Sequence, residues 1–174
     1  MSSLKVHTIQ SLATSAALYP LMGENVVPFA LAVVFIDIDH VFGYVKETKS
    51  PDVRGVFPYC KLIETNLDKN FLVLNILHTV EFFALVLAMA VMWPVWYYVL
   101  AGLLYHMLFD VYHLKRLNRP FGRVYSLIEY MYRTGKREYI TSVRELIKTE
   151  GVETAEVKDI KTWLGRWNFV QEES

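Results

Sequence analysis

At 174 residues the chain is one domain's length, 53% apolar, 21% charged and of zero formal net charge. The apolar share is high for a soluble domain, and the balance of 18 basic against 18 acidic residues hides a strong asymmetry along the chain. A lone cysteine, Cys60, excludes both an internal disulfide and a thiolate-rich metal site.

The first predicted elements are two mostly apolar segments, Leu4–Met22 and Val26–Val45, separated by Gly23-Glu24-Asn25. Lys5 ahead of an apolar stretch with small residues fits a cleaved signal peptide, but Gln10, Ser11, Thr14 and Ser15 interrupt what would be its greasy core. Residues 46–70 form a mixed loop, too short for a domain and suited to a lid. Phe71–Trp93 then carries one carboxylate and no Lys or Arg, and Val95–Leu114 has no charge before Asp110. Each is long enough to cross a hydrocarbon core of about 30 Å at about 1.5 Å per residue. The expected fold is all-α: four transmembrane helices as two hairpins in residues 1–114, followed by a helical tail, 115–174.

Charge orients the bundle. Neither expected outer turn, near Gly23–Asn25 or Trp93–Pro94, contains Lys or Arg. Lys5, five basic residues in the 46–70 loop and twelve after Leu114 account for all 18, which the positive-inside rule makes cytoplasmic. The expectation is an integral membrane protein of the cell or inner membrane, both termini inside, with membrane lipids as partners and no nucleic acid. Lys115, Arg116, Arg119 and Arg123 form a juxtamembrane cluster, read as an anchor or a site for anionic headgroups.

The hairpins resemble each other. His7-Thr8-Ile9-Gln10 matches His78-Thr79-Val80-Glu81, and Asp37-Ile38-Asp39-His40 matches Asp110-Val111-Tyr112-His113. This is the pattern of a parallel internal repeat. Residues three, four and seven apart share a helix face. His106, Asp110 and His113 therefore form one stripe, Asp37 and His40 another, and Asn75, His78 and Glu81 a third. Ionisable groups at one membrane depth face inward and need partners. A divalent cation, Zn²⁺ first and Mn²⁺ or Fe²⁺ as alternatives, one ion or two, is the partner that imidazoles and carboxylates together favour.

His7, "IDIDH" (Ile36–His40), "LHT" (Leu77–Thr79) and "HMLFD" (His106–Asp110) resemble the blocks of the membrane-bound metal-dependent hydrolases, which include a LexA-regulated bacterial inner-membrane group. Ile36 stands where that family has Pro, and Val73-Leu74-Asn75 where it has His-Arg-Gly. The resemblance implies His7, Asp37, Asp39, His40, His78, His106 and Asp110 as metal ligands, with Asp39 and His7 alternatively orienting the ligands. It also implies hydrolysis of a lipid or other amphiphilic ester or phosphoester. Glu81, one turn beyond His78, is the candidate general base. The alternatives are a metal-ion or proton transporter and an inactive scaffold presenting the tail. In that tail two short helices are predicted, about Thr141–Thr149 and Thr154–Leu164. With five basic and seven acidic residues in 139–174, they suit packing better than DNA.

Overall fold

A computed structural model describes residues 4–48, 52–65, 72–117, 123–134, 136, 139–140 and 145. Apart from Glu145, the two helices expected over Thr141–Thr149 and Thr154–Leu164 lie outside the described residues. All regular structure described is helical: α1 (Leu4–Met22), α2 (Val26–Phe35), α3 (Ile38–Thr48), α4 (Val56–Thr65), α5 (Val80–Met92), α6 (Val95–Arg116) and α7 (Leu127–Thr134).

The apolar helical run Thr8–Thr48 is long and apolar enough to cross a membrane, but it is doubled back on itself. Gly23, at φ +56°, makes the reversal, a conformation that costs glycine nothing. The Ser11 hydroxyl then donates to the Ala30 carbonyl at 3.1 Å, tying α1 to α2. A second hairpin turns at Pro94, whose fixed φ suits the residue preceding α6. The hairpins pack through α2 and α6. Gly102 sits against the Phe29 carbonyl so closely that a Cβ there would lie 2.4 Å from its oxygen. Ala32, Ile36, Val86 and Leu103 form the core on one side of this crossing. Val26, Phe29 and Val33 form it on the other, with Tyr98 and Tyr105 packed against them.

Two segments expected as continuous helices are broken. The segment Val26–Val45 is interrupted at Ile36–Asp37, between α2 and α3. Phe71–Trp93 is helical only from Val80: a 3-10 turn, Ile76–His78, precedes it, and Thr79 caps α5 in an extended conformation, φ −90°, ψ 152°. The thirteen residues of α5 rise about 20 Å, short of a full span by themselves. The outward faces are apolar: Leu31 and Phe35 on α2, Leu87 and Val91 on α5, Leu104 and Leu108 on α6 are about half exposed or more.

Gly102→Ala is expected to force α2 and α6 apart and destabilise the fold by about 1–3 kcal/mol. A lowered unfolding midpoint in detergent is the readout; an unchanged midpoint would disprove the tight crossing.

Candidate metal centre

Both helix breaks lie at the same place, and the residues around them converge. Asp37 follows the end of α2, His40 sits in the first turn of α3, His78 closes the 3-10 turn, and His106 and Asp110 occupy successive turns of α6. Asp37, His40 and His78 form one group whose ligand atoms lie within 4.8 Å of each other, and His78, His106 and Asp110 form a second. His78 belongs to both.

Asp37 Oδ1 lies 3.4 Å from His40 Nε2, 3.7 Å from His78 Nε2 and 3.4 Å from His106 Nε2. Asp110 Oδ2 lies 3.7 Å from His78 Nε2 and 3.6 Å from His106 Nε2. These separations exceed an ordinary N–H···O hydrogen bond, about 2.7–3.2 Å. The two at 3.4 Å match the edge of a tetrahedron whose ligands stand about 2.0–2.1 Å from its centre, which is about 3.3–3.4 Å, and the other three exceed it by a few tenths of an ångström. His40 Nε2 and His78 Nε2 are buried and have no hydrogen-bond partner among the described residues. Burying such an atom without compensation is costly, and a cation supplies the compensation. The donor set therefore fits a divalent metal.

The remaining ring nitrogens are held so that Nε2 faces inward. His78 Nδ1–H donates to Asp39 Oδ2 at 2.9 Å, and the Leu77 backbone N–H donates to the same oxygen at 3.1 Å. His106 Nδ1–H donates to the Val33 carbonyl at 2.8 Å. Such bonds fix the tautomer and leave Nε2 as the donor to a metal. Asp39, expected among the ligands, thus sits behind one.

Glu81 is placed elsewhere. Its carboxylate accepts from the Ser126 hydroxyl at 2.5 Å and from the Leu127 backbone N–H at 3.0 Å, at the start of α7. Because Thr79 leaves the helical region, the three-residue spacing from His78 no longer puts Glu81 on the His78 face. An assignment as general base has no support in this position. His7 lies in α1, and its side chain is outside the described residues. His113 stands below the centre, where its Nε2–H donates to Glu64 Oε1 of α4 at 2.6 Å. That contact, with Cys60 and Ile63 lining the same cleft, puts part of the 46–70 loop over the site.

Arg123 is the residue that sequence reasoning misplaced. Grouped with Lys115, Arg116 and Arg119 as a lipid-facing cluster, it is instead 9% exposed, and its Nη1 donates to Asp110 Oδ2 at 2.6 Å. No periodicity links it to Asp110, because α6 ends at Arg116 and Arg123 lies beyond it. The cleft that opens on the centre is lined by His40, Asn75, Asp110, His113 and Arg123 on its polar walls and by Ile63, Val73 and Leu114 on its apolar ones.

The chain matches no protein-family model, no curated protein and no solved structure. The site's chemistry therefore rests on its own geometry.

Asp39→Asn is expected to weaken metal affinity about 10–100-fold, while Glu81→Gln leaves it unchanged; titration with a competing chelator measures both. Burial pushes the Cys60 thiol up to about 12. At pH 8 it stays protonated and is expected to resist iodoacetamide until the protein unfolds. Rapid alkylation of the folded protein would contradict this.

Proposed function

We propose that the protein is a membrane-embedded, metal-dependent hydrolase that works from the cytoplasmic side on an ester or phosphoester of a lipid or another amphiphile. The observation carrying this reading is the pair of His/Asp groups sharing His78, with ring nitrogens buried at coordination spacing. The resemblance of His7, Ile36–His40, Leu77–Thr79 and His106–Asp110 to the membrane-bound metal-dependent hydrolases supports it.

The membrane reading takes four crossings from two hairpins. The apolar outward faces of α2, α5 and α6 support it. Irregular backbone at membrane depth is tolerated where protein buries it, and Asn75, His78 and Thr79 are at most 2% exposed. Sidedness rests on the basic residues, all of them at the loop and terminal ends of the hairpins.

Asp37, His40, His78, His106 and Asp110 would hold the ion, most economically Zn²⁺, and the five donors leave room for one ion or two. When bound, a divalent ion lowers the pKa of its water and polarises the scissile ester. The chain's own part is orientation: Asp39 and the Val33 carbonyl fix two imidazoles, and the cleft admits the substrate beside them.

Transport of a divalent cation is the second reading, favoured by the two helix breaks that meet at the site, a device transporters use. Against it, among the described residues every buried carboxylate, imidazole or basic side chain belongs to this one end of the bundle.

Protein purified in detergent is expected to carry about one or two equivalents of transition metal by mass spectrometry, and His78→Ala and His106→Ala to lose most of it. Metal content no higher than that of a control membrane protein would end the hydrolase reading. Metal-dependent lipid cleavage supports it, whereas metal uptake into proteoliposomes without cleavage would favour transport.

A further inference from the structure

Within that hydrolase reading, we infer that Arg123 makes the cleft beside the metal centre a receptor for the oxyanion of a phosphate ester, which narrows the substrate class to phosphoesters. The guanidinium is buried, and a buried arginine is expensive unless its charge is used. Its Nη1 is bonded to Asp110 Oδ2, the same oxygen that faces His78 and His106. The cationic group therefore stands directly beside the metal ligands.

A guanidinium has five N–H donors in a planar fork that matches phosphate oxygens. The bond to Asp110 uses Nη1, and the side chain lines the cleft. Of the cleft's two imidazoles, His40 faces Asp37 and His113 is engaged by Glu64, so the guanidinium is the lining group left to meet an anion.

Charge arithmetic supports an anion. At the ligands, Asp37, Asp39 and Asp110 contribute three negative charges, one divalent ion would add two positive ones and Arg123 adds one more, giving a neutral centre; Glu64, which also lines the cleft, is held by His113. Without Arg123 a phosphate would approach a net negative centre. With it, an oxyanion held by the fork would stand beside the residues that would hold the ion, and two positive groups would share the charge that builds up in phosphoryl transfer.

The test measures two affinities on the same protein: Zn²⁺ by chelator competition and inorganic phosphate by calorimetry on the metal-loaded form, in wild type, Arg123→Gln and Arg123→Lys. Arg123→Gln is expected to weaken phosphate binding about tenfold or more, while Zn²⁺ binds as tightly or more tightly because a neighbouring positive charge is gone. Arg123→Lys keeps charge without the fork and should fall between on phosphate. A merely structural Arg123 would lower both affinities in Arg123→Gln together, and that result overturns the proposal. So does phosphate affinity that is undetectable in wild type or unaltered in Arg123→Gln. Absence of Zn²⁺ binding in wild type would instead sink the hydrolase reading, and phosphate titration of the metal-free protein would still decide the role of Arg123. Competition by dihexanoyl phosphatidate and by glycerol phosphate tells a lipid source from a soluble one, the tighter competitor marking the source.

Discussion

The structure turns on one imidazole. His78 is 1% exposed, gives one ring nitrogen to Asp39 and presents the other to Asp37 and Asp110. Holding a ring between carboxylates from two hairpins demands that both hairpins bring polar backbone and side chains to the same buried place. That demand accounts for the irregularities nearby. A continuous helix through residues 36–40 would put Asp37 and Asp39 on different faces, yet here they flank the same ring. A continuous helix through residues 71–93 would carry Glu81 in toward His78, yet the Thr79 cap turns it to α7.

The apolar pattern made the hairpins readable, because a helix buried in or facing an apolar medium shows itself by length and hydropathy alone. Asp37 with His40, and His106 with Asp110, were readable because spacings of three and four survive wherever the backbone is helical. What failed was the assumption of helix across the breaks. One signal was present: Thr79 ahead of an apolar run, with Glu81 in the first turn, is a helix start. Taking it as such places His78 outside α5 and frees Glu81 from the site. Asp39 gave no such signal, since its role depends on a turn at Ile36–Asp37 that no Gly or Pro marks. Arg123 depends wholly on tertiary return of the chain after α6.

Contacts also run across the expected boundary between a bundle ending at residue 114 and a tail. Helix α6 runs on to Arg116. Beyond it, Arg123 reaches Asp110, the Tyr125 carbonyl accepts from the Val80 backbone N–H at 2.8 Å, and Glu81 receives the start of α7. A carboxylate at a helix N-terminus satisfies donors that the helix itself leaves open and suits its dipole. Residues 123–127 are thus bonded to the bundle at three points, and they complete the site end.

This placement bears on what the cleft can accept. A centre sunk in a closed four-helix core would be reached only through apolar packing, and a centre at the helix ends would be open to water on every side. Here α4 and the returning segment build walls of mixed character: Ile63, Val73 and Leu114 against Asn75, His113 and Arg123. An apolar wall gains nothing from a small ion, and a buried guanidinium gains nothing from a hydrocarbon chain. On the proposed reading an amphiphile would use both, its chain against the apolar side and its charged ester toward Arg123 and the His/Asp groups.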